Sequence, residues 1–281
     1  MTGLLPRDSL AGVRVGLSAS DSPDLGRLGL LPNHFRLALG EVARTVLVGG
    51  GTLAYGGHLR PDGHTSFLLR EVQRYGPLDE PPLLICLAWQ NHRRLPLPEL
   101  RRLRRDFALH ATVVCLDPAG EEVDPEQGRG DAPAPVDESQ LAPALTAMRA
   151  WLARRVDGQV VIGGRRTGFT GRMPGLVEET LLAVEHRTPL YLAGGFGGAT
   201  WDILRSVGVG DPDFLPAADG AGPPDPGYRD ALAVLADRSA GLVDNGLAAE
   251  ENRRLSETHR PGEIAGLVGL GLGRINAGRK P

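Results

Sequence analysis

The sequence predicts an α/β fold, doubly wound, in which a mainly parallel sheet carries helices on both faces. Three observations predict it. Short apolar runs alternate with stretches of helical spacing along most of the chain, three of those runs are expected to stop at a glycine pair, and 281 residues suit one undivided α/β domain.

Residues 13–18 (VRVGLS) form the first apolar run, and a loop punctuated by Pro and Gly leads to helical spacing over 33–44. The β-branched run TVLV at 45–48 is expected as the second strand, opening directly into Gly49, Gly50 and Gly51. Residues 65–75 place Phe67, Leu68 and Val72 on one helical face, and LLICLA at 83–88 is a third strand. An arginine-rich amphipathic helix over 98–109 precedes strand four at 111–116. Residues 119–139 are acidic, rich in Pro and Gly and poor in large apolar side chains, so a mobile or partly disordered loop is expected.

A helix over 141–156 leads to strand five at 159–162, which ends at Gly163 and Gly164. A helix over 174–186 begins at Pro174, and strand six at 189–193 runs into Gly194 and Gly195. Helical patterns at 198–207, 228–239 and 263–275 follow, with a Gly- and Pro-rich loop at 209–227. The expected organisation is one domain over 1–281, with 210–281 a helical C-terminal extension packed on it.

Composition removes several function classes. A formal charge of -3 provides no field for nucleic acid or an anionic membrane. Cys86 and Cys115 sit inside apolar runs, as buried thiols of a reducing compartment do. The opening MTGLLPRDSLAG lacks the basic and apolar regions of a secretion signal, and no run approaches the ~20 apolar residues of a membrane span, so a cytoplasmic location is expected. Arginine almost to the exclusion of lysine is a codon signature of a GC-rich bacterial genome.

In open α/β sheets ligands bind outside the carboxyl ends of the strands, where helix amino termini attract anions. Gly50/Gly51, Gly163/Gly164 and Gly194/Gly195 are therefore expected to form one pocket floor, although each pair alone fits any α/β turn. Neither the G-x-G-x-x-G fingerprint nor the G-x-x-x-x-G-K-[ST] phosphate loop is present. Ser18, Ser20, Tyr55, Gly56 and Gly57 supply polar and main-chain contacts, Phe196 and Gly197 extend the third pair, and Arg165, Arg166 and Arg172 are placed to hold phosphate. Gly175, Glu178 and Glu179 open the following helix, where either carboxylate accepts ribose hydroxyls or assists cleavage of an N-glycosidic bond. Phe169 and Trp201 are offered to a base or, more simply, to the core. No G-x-S-x-G elbow and no metal-ligand spacing of histidines occurs, so no metal is expected.

The stretches VGLSASDSPDLGRLGL, VLVGGGTLAYGGHLRPDGHT, VVIGGRRTGFTGRMPGLVEET and LYLAGGFGGAT, in that order over residues 13–200, resemble the SLOG superfamily, in particular the branch similar to the amino-terminal region of TRPM channels. The resemblance implies a Rossmann-like sheet that recognises nucleotide-derived ligands, among them ADP-ribose and cyclic ADP-ribose forms made from NAD by TIR proteins in bacterial anti-phage signalling. It implies a sensor that needs no cofactor, that forms a homo-oligomer, and that acts through itself or through a separately encoded effector or TIR protein. Related phosphoribohydrolases carry P-G-G-x-G-T-x-x-E, whereas this chain has PGLVEET, with Leu182 eight positions after Pro174. A nucleotide N-glycosidase and a protein-interaction module stand as the alternatives.

Overall fold

The computed structural model describes residues 6–77, 80–209, 211, 213–215 and 226–279. Its sheet contains β1 (Arg14–Ser20), β2 (Thr52–Gly56), β3 (Leu83–Leu87), β4 (Ala111–Cys115), β5 (Gly158–Gly163) and β6 (Leu190–Ala193). All five pairings are parallel, in the order β4-β3-β2-β1-β5-β6. The strand order reverses between β1 and β5, where Ser18 lies beside Val161 and Ser20 beside Gly163. In open α/β sheets such a reversal is where a ligand crevice forms, beyond the carboxyl ends of both strands. Every residue of β5 is buried, which explains why the strands read as continuous apolar runs rather than as alternating ones.

The helices among the described residues are α1 (Pro32–Val48), α2 (His64–Tyr75), α3 (Trp89–Arg93), α4 (Leu97–Phe107), α5 (Leu141–Ala153), α6 (Gly175–Glu185), α7 (Gly198–Ser206), α8 (Pro226–Asp237), α9 (Ala249–Glu257) and α10 (Pro261–Arg279). Phe35, Leu39 and Val42 of α1, Leu68 and Val72 of α2 and Ile264, Val268 and Leu272 of α10 share one core against the sheet. On the opposite face Val177 and Leu181 of α6 pack with Trp201 of α7 and Tyr228 of α8, while Met148 and Trp151 of α5 cover Cys86 and Leu116. The C-terminal helices thus complete the layers, and α10 belongs to the main core. Most of the loop expected at 209–227 lies outside the described residues.

Two expectations are corrected. Residues 45–48 are the last turn of α1, because Leu39, Val42, Ala43, Val46 and Leu47 bury at helical spacing, and that pattern outweighs the strand propensity of TVLV. The true second strand follows the glycines instead of preceding them. The acidic segment 119–139 is tied down: the Leu97 amide donates to Asp131 O at 2.8 Å, the Ala134 amide to Arg93 O at 2.9 Å, and the Arg129 guanidinium to His92 O at 2.9 Å and to Leu95 O. Backbone bonding of this kind leaves no trace in hydropathy. The short α3 and α9 had no periodic signature strong enough to announce them.

Candidate functional site

Glu179, just past the first turn of α6, leans back onto the sheet. It accepts a hydrogen bond from the Ser18 hydroxyl of β1, which in turn accepts from Gln159 Nε2 of β5 at 2.7 Å. Arg149 of α5 approaches the other Glu179 oxygen at 3.5 Å and is ion-paired with Glu178, which also accepts from Thr146. Burial raises the Glu179 carboxyl above its usual range, with Arg149 and Ser18 pulling the other way. Glu179, Arg149 and Gln159 meet Gly16 and Gly56 around an internal cavity of about 20 Å³, room for one water.

Glycine is required where these groups converge. A Cβ at Gly16 would lie 2.0 Å from Gln159 Oε1, and one at Gly175 would lie 2.7 Å from an Arg149 nitrogen. Gly16 lets the glutamine cross the strand to Ser18, and Gly175 lets the guanidinium lie over the start of α6.

β2 ends at Tyr55 and Gly56, with Gly57 directly after it. The Tyr55 hydroxyl lies 3.4 Å from Ala19 O, and burial raises its pKa. The Asn91 side chain donates to Gly57 O at 2.8 Å. Beyond β1, Asp21 lies 3.6 Å from His64 Nε2 and 3.8 Å from Arg165. Arg165 and Arg172 are exposed in the loop that leads to α6, and Phe169 is half-buried there. Gly56, Glu179 and Arg149 thus line one cavity, Ser18 bonds Glu179, Tyr55 lies within electrostatic reach of Glu179 and Asp21, and Asp21 joins Arg165 to His64.

Other expected site residues fall elsewhere. Gly50 and Gly51 close the turn from α1 into β2 and lie at the amino end of the strand, the edge opposite the crevice. Gly50 has φ +81°, and the Gly51 amide donates to Val46 O at 2.9 Å, so both serve the turn. Gly194 and Gly195 are buried under the chain that follows α9, where a Cβ on Gly195 would lie 2.0 Å from Thr258 O. Phe196 is fully buried, edge-on to Phe35 with ring centroids 5.7 Å apart, and Trp201 is likewise core. Gly163 and Gly164 bring β5 against β1 and α7: the Gly164 amide donates to Ser20 O at 2.9 Å, and the Ala199 amide to Gly164 O at 3.0 Å.

The amino terminus of α7, expected to attract a ligand anion, already holds one. Asp24 accepts from the Gly198 amide at 2.8 Å across Gly197, and Arg166 pairs with Asp24 at 2.7 Å and with Asp202 at 2.6 Å. Arg166 therefore staples the loops after β1 and β5 together and is not available to phosphate. Glu178, bonded at both oxygens, anchors α5 to α6.

The residues missed from sequence are Arg149, Gln159, Asp21 and His64. Two carried a signal: Arg149 is the lone charge of α5 (LAPALTAMRAWLA), and Gln159 is the lone long polar side chain in the buried run GQVVIG. Asp21 and His64 lie in polar stretches of sequence that carry no pattern to single them out.

An all-parallel doubly wound sheet whose order reverses between β1 and β5 defines the Rossmann-like α/β class. The chain belongs to the SLOG cluster2 family, whose model matches residues 9–255. No curated protein sequence matches the chain. The family match ends inside α9, so α10 is supplied beyond it.

Proposed function

We propose that the chain binds a nucleotide-derived small molecule, of the ADP-ribose or cyclic ADP-ribose kind, in the crevice beyond β1, β2 and β5 and acts as a sensor. The observation that carries this reading is the placement beyond β1, β2 and β5 of two glycines (Gly56, Gly57), an exposed cation (Arg165) and a half-buried acceptor (Glu179). Main-chain approach at the glycines suits a base or ribose, and the guanidinium suits phosphate oxygens. Both carboxylates already have partners within the chain, which favours recognition over turnover. Output through a homo-oligomer, or through a separate effector or TIR protein in anti-phage defence, extends the same proposal. Thermal-shift and calorimetric titration with ADP-ribose, its cyclic forms, NAD and nucleoside monophosphates tests it; a stabilised, tightly binding pair is expected, and no binding by any of them would refute it.

The raised Glu179 carboxyl favours one second reading, an N-glycosidase in which Glu179 donates a proton. That reading requires release of free base from NAD or a nucleoside monophosphate, abolished in Glu179→Gln. Intact ligand recovered after long incubation excludes it.

A further inference from the structure

We infer that the start of α2, with Arg165 facing it, forms an anion subsite that takes a phosphate group of the ligand, and that Asp21 occupies it in the ligand-free protein. The inference rests on the nucleotide reading and specifies where in the crevice one phosphate lies.

Three observations place the subsite. First, α2 starts at Gly63 with no side-chain cap, so its first-turn amides point outward without the carboxylate that Asp24 supplies to α7. Second, the Thr65 hydroxyl is buried and has no hydrogen-bond partner; it faces Gly57, where a Cβ would lie 2.9 Å from Thr65 Oγ1. A buried hydroxyl left unpaired at the first turn of a helix is a donor in want of an acceptor. Third, the Asp21 carboxylate lies 3.6 Å from His64 and 3.8 Å from Arg165, although Asp21 itself is exposed. An anion of the chain thus stands between the imidazole and the guanidinium that a phosphate oxygen would bridge.

The electrostatics around His64 agree. Burial holds its imidazole below the usual range; Asp21 pulls it up, while Arg36 of α1, His58 of the β2–α2 loop and Arg165 push it further down. Its ring also packs against Phe35, centroids 5.6 Å apart. A bound dianion, carrying more charge than Asp21, pulls the imidazole upward against that burial, so binding is coupled to proton uptake at His64.

Sulfate keeps its charge through the range in which histidine titrates and serves as the probe. The His64 imidazole proton resonances, assigned by their absence in His64→Gln, are followed from about pH 5 to 8 in sodium sulfate and in sodium chloride of equal ionic strength. An upward shift of the His64 titration in sulfate alone is expected. Calorimetry with inorganic pyrophosphate gives the second arm: Thr65→Val and Arg165→Gln each weaken binding about tenfold, whereas Asp21→Asn strengthens it at least about threefold by removing the resident carboxylate. Thr65→Val deletes an unpaired hydroxyl, so its thermal stability holds and a loss of binding is not a loss of fold.

An unshifted His64, or weaker binding in Asp21→Asn, overturns the subsite. If ADP-ribose binds while His64 and the Thr65→Val variant show no effect, the subsite alone falls and the nucleotide reading stands. If sulfate shifts His64 but no nucleotide binds, the subsite stands and the nucleotide reading falls.

Discussion

Glu179 combines burial, a hydroxyl donor and a distant guanidinium, and the first of these prevails in raising its carboxyl above the ordinary value of 4.5. A carboxyl raised by folding contributes stability that is complete below its unfolded value and is lost as pH rises through the folded one. Glu179→Gln mimics the protonated form permanently, and Arg149 keeps Glu178 as its partner. The variant is therefore expected to melt about 2–4 °C above the wild type at pH 8, the shift that ~1 kcal/mol produces in a chain of this size, with the gap closing toward pH 4. Thermal melts across that range check it, and a variant less stable at pH 8 than the wild type contradicts it. Sequence placed Glu179 correctly at the start of its helix but left it equivalent to Glu178. The two are separated only by the partners that folding brings from β1 and α5, a distance of more than a hundred positions for Ser18 that no local pattern encodes.

At the level of elements, the glycines divide into those that close packing requires and those that it does not. Gly195 meets the Thr258 and Glu257 carbonyls, so Gly195→Ala forces backbone apart and is expected to destabilise by about 3 kcal/mol or to abolish folding. Gly266, inside α10, has open space where its Cβ would go, and Gly266→Ala should stabilise by about 0.5–1 kcal/mol through helix propensity. Denaturant titration of both variants tests the contrast, and equal effects would contradict it. Strands 1, 3, 4, 5 and 6 were legible because a fully buried parallel strand is a short apolar run closed by turn residues. Strand 2 was not, because TVLV has strand composition but completes the buried stripe that Phe35 begins, and the less apolar TLAYG pairs between β1 and β3. That single shift moved Gly50 and Gly51 to the wrong edge of the sheet and hid Gly56 and Gly57 as the true strand end.

For the whole molecule, the position of the crevice follows from strand order, which sequence did not fix: alternation predicted a parallel sheet, but only the observed order puts β1 beside β5 and so makes their carboxyl ends the reversal point. The C-terminal helix is part of that scaffold. Ile264, Val268 and Leu272 of α10 share a core with α1, so a chain ending at residue 258 exposes that face and should lose cooperative unfolding and aggregate; a soluble, two-state truncated protein would contradict this. The loops stapled by Arg166 then hold Asp21 and Arg165 across from α2. The most direct measurement is calorimetric titration of the full chain with ADP-ribose, beside adenosine as the partner that lacks phosphate. Saturable binding of ADP-ribose, weakened about tenfold or more in Arg165→Gln and absent for adenosine, is the expected result. Equal affinity for both, or binding indifferent to Arg165, would place the ligand outside this crevice.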